Sequence, residues 1–220
     1  MAPSHDPFSV VRASQLPLFK EPVRQAVITA AENAFYKNGY HGTTMRSISS
    51  GAGVTVGAPY YHYDSKQEIL REIMDRFMRW SLQTTIDACA AAGEDPYSQL
   101  VAAVRSHVYQ HATHQVPSFV VDNELRSLEP ENREQIIQLR DQIQGIFTQA
   151  VQRGHEQRIF RTPYPRESAR AVVTMCTSVA SWFKVDGPLS AVDVAERYTT
   201  ICLDAVRYAS GSEAAALDVG

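Results

Sequence analysis

Apolar positions recur with helical spacing along most of this chain, and the clearest run lies near the front. Val27, Ala30, Ala31, Ala34 and Phe35 fall at i, i+3, i+4, i+7 and i+8, which lines one face of a helix. Asn38-Gly39 follows, a pair that tolerates the left-handed backbone of a helix end. Thr43-Thr44 offers a hydroxyl cap for a second helix with Met45, Ile48 and Ala52 turned inward, and Gly51-Ala52-Gly53 breaks it within two turns. Thr55 is placed to cap a third helix, in which Val54 and Tyr63 face inward and Tyr60, Tyr61 and His62 do not. Two short helices joined by a glycine turn, the second rich in aromatics, form the plan of a helix-turn-helix DNA reader.

Downstream the helical period continues. Ile69, Ile73, Phe77 and Trp80 give a fourth helix a stripe that runs towards Ala92, with Gly93 as its stop. Residues 96–115, 118–128, 131–157, 166–184 and 191–209 repeat the pattern between loops that carry proline or glycine. No segment alternates as a half-buried strand would, and there is no internal repeat. The expected fold is all-α: a three-helix helix-turn-helix domain joined by a long helix to an all-helical ligand-binding and dimerisation domain. The boundaries read as a mobile arm over 1–20, the DNA-binding domain over 21–66, the larger domain over 67–210 and a flexible tail over 211–220.

Composition narrows this picture without supplying it. A net charge of −3 argues against a general polyanion binder. Residues 20–80 carry eight Lys/Arg against six Asp/Glu, while residues 81–220 carry twelve against seventeen. A mildly basic head on an acidic body suits contact with DNA at one end only. Cys89, Cys176 and Cys202 are odd in number and widely spaced, so neither a disulfide framework nor a zinc knuckle is expected and a reducing cytosol is the default. The first twenty residues lack the charged-then-apolar design of an export signal and are interrupted by Pro3, Pro7 and Pro17.

Within this expected reading unit each residue type has a physical use. A helix that begins with Thr55, Gly57 and Ala58 can bring its backbone N–H groups close to a phosphate. Tyr60, Tyr61 and His62 offer rings that pack on the sugar-phosphate wall while their polar tips bond phosphates or base edges. Ser65-Lys66-Gln67-Glu68 has the form of a capping box that leaves the Lys66 ammonium near the same phosphates.

From Arg24 to about Phe77 these residues also resemble the DNA-binding domain of the tetracycline-repressor (TetR) family. The likeness runs without a gap through AAENAFYKNGYHGTT, MRSISSGAGV, TVGAPYYHY and DSKQEIL. It implies DNA contact at Thr44, Thr55, Val56, Gly57, Ala58, Tyr60, Tyr61, His62 and Lys66. Two departures stand out: Val56 replaces a frequent lysine, which favours apolar contact with a thymine methyl, and Pro59 replaces the usual leucine, which deletes one early backbone bond and stiffens the helix start.

The same resemblance implies a small-molecule pocket in the larger domain, whose filling draws the paired heads out of register. Tyr109, Phe119, Asn123, Glu124, Phe147, Met175 and Trp182 are the expected lining, each an aromatic or polar group on an otherwise apolar helical face. AVQRGHEQRIFR and GPLSAVDVAERYTTICLDAV resemble members that respond to acyl-CoA thioesters in lipid or sterol breakdown, for which Arg126, Arg133 and Arg140 would supply a basic mouth. A single head touches too few bases for selectivity, so a homodimer on a palindromic double-stranded operator is expected. The stripes Val172, Cys176, Val179, Phe183 and Val194, Tyr198, Ile201, Cys202, Ala205 are its candidate interface.

Two competing chemistries fit parts of the sequence. His107, His111 and His114 stand at i, i+4 and i+7 and could share an ion with Asp122 or Glu124, but solvated or pocket histidines are the preferred reading and no metal or other cofactor is expected. Glu124 with His107 or His111 could serve a helical sensor or enzyme as an acid-base pair without DNA binding. Against an enzyme, there is no nucleophile elbow, phosphate loop or dinucleotide fingerprint. The expected activity is that of a non-enzymatic, ligand-responsive transcriptional regulator, acting as a repressor.

Overall fold

Proline and glycine punctuate the helices where the sequence places them. In the computed structural model, which describes residues 6–208, the helices are α1 (Ser9–Ala13), α2 (Pro22–Gly42), α3 (Met45–Gly51), α4 (Lys66–Ala91), α5 (Pro96–Thr113), α6 (Gln115–Asn123), α7 (Pro130–Glu156), α8 (Pro165–Trp182) and α9 (Ala191–Ala205). α2, α5, α7 and α8 each begin on a proline, whose missing N–H would have no intrahelical partner there anyway. Thr44 and Ser190 close reciprocal capping boxes with Ser47 and Asp193, and Gly93 ends α4 at φ 81°. There is no strand among the described residues; one isolated bridge joins Phe160 and Tyr208.

The chain divides into two compact units. The first, the head unit, comprises Gln15–Leu82 and His114–Arg140. Its interior holds Val27, Ile28, Ala31 and Phe35 of α2, Ile48 of α3, Tyr63, and Ile69, Ile73 and Phe77 of α4, all buried. Each fully buried aliphatic or aromatic side chain of this kind contributes about 1.5–3 kcal/mol. α6 packs on α2 within the same unit, through Phe119, whose ring meets Tyr36 edge-on at 4.8 Å. The head unit thus takes in residues 114–140 as well.

The second, the body unit, comprises, among the described residues, 6–14, 83–113 and 141–208. Here α5 lies against α8 and α9. Val172, Cys176, Val179 and Phe183 of the α8 stripe and Val194 and Cys202 of α9 are buried within their own chain. These residues were expected at a subunit interface and are core instead: periodicity marks the covered face of a helix without saying what covers it. Trp182 and Ile201 are the large apolar groups that α8 and α9 leave exposed, at 43% and 48%.

The expected mobile arm is anchored at Phe8, Val11 and Ser14 within its described part. Phe8 and Val11 are 2% and 4% exposed, the Phe8 ring lies 5.7 Å from that of Tyr109 on α5, and Ser14 shares a 2.6 Å hydrogen bond with Thr84. Five residues on, in the head unit, the Phe19 ring has the Arg24 and Arg76 guanidinium groups at 4.2 and 4.9 Å from its centroid. Residues 1–5 and the tail at 211–220 lie outside the described residues.

Candidate nucleic-acid interface

Behind α3 the backbone turns sharply at Gly53, φ 67°, a conformation that favours glycine. The expected recognition helix is here a 3₁₀ turn, Ala58–Tyr61. Ala58 N–H donates to the Thr55 carbonyl at 3.0 Å and Tyr60 N–H to the Gly57 carbonyl at 3.1 Å, spacings of three residues. Pro59 explains the change: it has no N–H to give, and it is buried at the centre of the turn. Thr55 contributes its carbonyl rather than a side-chain cap, since the turn has no side-chain cap bond.

The turn leaves several of these side chains in solvent. Val56, Tyr60 and Tyr61 are 54%, 52% and 87% exposed; Thr44, Thr55 and Gly57 are exposed as well, and Ala58 and His62 are half-buried. Beneath them Tyr63 is 1% exposed. Its hydroxyl accepts from Arg24 Nε at 3.1 Å, and Arg24 Nη2 reaches Glu72 Oε1 at 2.6 Å. Burial pushes the Tyr63 hydroxyl up to about 12, partly opposed by the Arg24 hydrogen bond, so it stays a neutral anchor. Val54 is only half-buried and anchors less than expected.

Lys66 is not turned towards a phosphate. Its ammonium donates to the Tyr40 and Thr43 carbonyls, both at 2.6 Å, and lies 4.0 Å from the Tyr40 ring centroid. Burial lowers its pKa, an effect the Glu124 carboxylate opposes. Gly39, at φ 70°, turns the end of α2 so that these carbonyls lack helical partners and a cation can cap them. Glu124 completes the knot: Oε1 accepts the Tyr40 N–H at 3.0 Å and Oε2 the Ser127 hydroxyl at 2.7 Å. Gln67 donates to Tyr40 Oη at 2.8 Å and the Ser127 carbonyl at 2.6 Å, and accepts from Glu129 N–H at 3.2 Å. Tyr40, Gln67 and Ser127 were missed in the sequence because a hydrogen bond between residues so distant leaves no local signal.

The seven expected pocket residues are divided between the units. Tyr109, Phe147, Met175 and Trp182 belong to the body unit, and Phe119, Asn123 and Glu124 to the head unit. Tyr109 packs on Phe8, Phe147 on the ring of His107 at 5.7 Å, and Trp182 on Tyr198 at 6.0 Å; Asn123 is exposed and bonds the Phe119 carbonyl at 2.9 Å. Both oxygens of Glu124 are bonded to Tyr40 and Ser127, which removes it from the acid-base pairing considered with His107 or His111.

The three histidines do not share a face. α5 ends at Thr113; His107 and His111 are buried in the body unit with ring centroids 4.2 Å apart, whereas the His114 ring lies 4.5 Å from that of Trp80 in the head unit. His107 meets Thr177 at 3.3 Å. Burial, and secondarily His111, hold its pKa well below the ordinary value, so the ring is neutral at pH 7. No group of three metal-ligating side chains occurs among the described residues. The basic mouth is also changed: Arg140 Nη2 donates to the Val121 carbonyl at 2.7 Å and to Asp122 at 3.2 Å. Among the described residues no helix is long and apolar enough to cross a membrane.

Similarity to known proteins agrees with this architecture. The chain is 26% identical over 188 residues to the HTH-type transcriptional repressor KstR2 of Mycobacterium tuberculosis (strain ATCC 25618 / H37Rv), covering 83% of this chain and 92% of the relative. A crystal structure of a bacterial regulatory protein in the tetR family from Rhodococcus RHA1 superposes with TM-score 0.78 at 26% identity, over 87% of this chain and 100% of the other. AibR, solved in complex with isovaleryl coenzyme A and operator DNA, has the same fold, with TM-score 0.74 at 22% identity over 82% of this chain and 97% of that one. Residues 27–73 match the family described as bacterial regulatory proteins, tetR family, and residues 93–206 match the tetracyclin repressor-like C-terminal domain, so the chain belongs to the TetR family of helix-turn-helix transcriptional regulators.

Proposed function

We propose that this regulator binds a palindromic operator as a homodimer in the cytoplasm, represses from it, and is released by a small-molecule effector. The observation that carries the DNA-contacting surface is the projecting turn, where Val56, Tyr60 and Tyr61 stand in solvent while Pro59 and Tyr63 hold it from within. Large rings with polar tips, left exposed on a small-residue turn, suit a groove that offers both apolar methyls and phosphate oxygens. Thr44, Thr55, Gly57, Ala58 and His62 flank them as shorter-range contacts. Arg46, exposed on α3, adds a positive charge of the kind that contacts phosphate. Lys66 supports the interface by bracing the end of α2, not by touching DNA.

Trp182, stacked on Tyr198, and Ile201 form the core of the dimer surface, because exposed aromatic and aliphatic groups on neighbouring long helices are what a second copy would cover. The Tyr40–Lys66–Gln67–Glu124–Ser127 knot ties the end of α2 to the start of α4 and to the segment after α6. An effector that moves that segment would therefore act on the reading unit, with a coupling on the order of 1–3 kcal/mol. AibR's complex with isovaleryl coenzyme A supports an acyl thioester as the first effector class to try. Within the body unit, Tyr109, Phe147 and Met175 remain the residues proposed to line its site.

A gel shift with fragments from upstream of the gene tests this reading. Selective retardation of a palindrome, weakened by salt and relieved by an acyl-CoA ester, is the expected result. Equal binding to all fragments would overturn it.

A further inference from the structure

Within the body unit, α1 borders a half-open cavity of about 320 Å³ whose walls come from α1, the last turns of α4, one face of α5 and Thr199 of α9. Longer side chains on the neighbouring helices would fill such a recess. This one is kept open by short side chains: Ala88 and Ala91 of α4 and Ala102 of α5 stand where longer residues would fill it, with Val10 of α1 opposite.

The lining carries one guanidinium and one carboxylate. Arg105 also lines the cavity; its Nη2 donates to Glu196 Oε2 at 2.8 Å, and its Nε is buried away from the cavity, so the terminal N–H groups are the ones a ligand would meet. A guanidinium offers five N–H donors, so a single ion pair leaves it able to take a further acceptor. The carboxylate that also borders the cavity, Asp6, is already engaged: Oδ1 accepts the Phe8 N–H and Oδ2 the Arg12 guanidinium, each at 3.0 Å.

We propose that this cavity is a second small-molecule site, which takes a compact amphipathic carboxylate with its head on Arg105 beside Thr199 and its hydrocarbon along Ala88, Ala91, Ala102 and Val10. The volume lies at the low end of the ~300–1,000 Å³ range of ligand pockets, which suits a short-chain or single-ring acid and not a nucleotide thioester. Occupancy has a route to the head along the chain. α1 is seated by Phe8, and residues 15–19 continue to Phe19, which sits against Arg24 and Arg76. A ligand that lifts or clamps α1 thus acts on the same segment that is fastened to the reading unit. This regulatory consequence rests on the operator-binding reading; the binding itself does not.

Titration calorimetry of the full chain with octanoate, octanamide and octylamine tests the site. Octanoate is expected to bind, octylamine to give no heat and octanamide to bind at least tenfold more weakly. Arg105→Gln should weaken octanoate at least tenfold, and Ala102→Leu, which fills the cavity and leaves the guanidinium in place, should abolish binding while the protein still melts cooperatively. Absence of octanoate binding, octanoate affinity unchanged in Ala102→Leu, or equal affinity for the amide would overturn the proposal. Operator retardation by the same protein is read separately, so loss of the octanoate heat with operator binding intact sinks only this site. Octanoate binding without operator binding would sink only the regulator reading.

Discussion

Two patches leave large apolar side chains in solvent, and the difference between them lies in what surrounds the rings. In the head unit Tyr60 and Tyr61 project from a 3₁₀ turn among threonine and glycine, with hydroxyl groups at their tips. In the body unit Trp182, Tyr198 and Ile201 lie along two long helices, the indole stacked on the phenol ring with the planes 24° apart. A narrow projection with polar tips suits a groove lined by phosphates; a broad ridge of stacked rings on helices suits another ridge. Exposure alone would have given both patches the same partner. Backbone shape and polar decoration separate them.

The largest effect expected from that contrast is on assembly. Replacing Trp182 and Ile201 together by Asp should raise the dimer dissociation constant at least a hundredfold, about 3 kcal/mol, with the monomer still folded. Sedimentation velocity that shows an unchanged dimer would move the interface elsewhere. On the head side, Tyr60→Ala should cost about 1–3 kcal/mol of operator affinity with little change in melting temperature, because the side chain is half in solvent already. A large fall in melting temperature would reassign Tyr60 to the core.

Smaller effects test the knot beneath the turn. Glu124→Ala leaves the Tyr40 N–H and the Ser127 hydroxyl without their acceptor, and should destabilise the protein by about 1 kcal/mol. Chemical denaturation that finds no loss would mean the knot is only a surface decoration. A change of comparable size concerns acid-base balance within the head unit. Burial, partly opposed by Arg140, raises the Asp122 carboxyl to about 7. A raised carboxyl disfavours the folded state once the unfolded chain ionises, so its contribution is most favourable below about pH 4 and fades as pH rises to about 7. Asp122→Asn should remove that slope and raise the melting temperature at pH 8 by roughly 2–4 °C. Parallel wild-type and variant curves across that window would discount it.

How much of this was legible in the sequence depended on how local each feature is. The α2 stripe, the Thr44 cap and the glycines that end α2 and α3 are written in neighbouring residues, and the structure has them where periodicity and capping put them. The 3₁₀ turn was half legible: Pro59 announced a lost donor, but its burial depends on packing against α2 and α3, which no spacing records. Lys66 and Glu124 were recognised as chemically important and sent to other partners, because their bonds reach across 26 and 84 residues of chain. The packed α1 was hidden for the same reason, since a five-residue helix has too few positions to show a period and Phe8 finds its place only against Tyr109.

The central claim is that the exposed tyrosine turn is what meets DNA. Fluorescence anisotropy with a palindromic fragment from upstream of the gene tests it most directly, comparing wild type with the double variant Tyr60→Ala, Tyr61→Ala at matched salt. The account predicts a loss of affinity of at least tenfold with the melting temperature and the dimer intact. Equal affinity in a folded, dimeric double variant would contradict it.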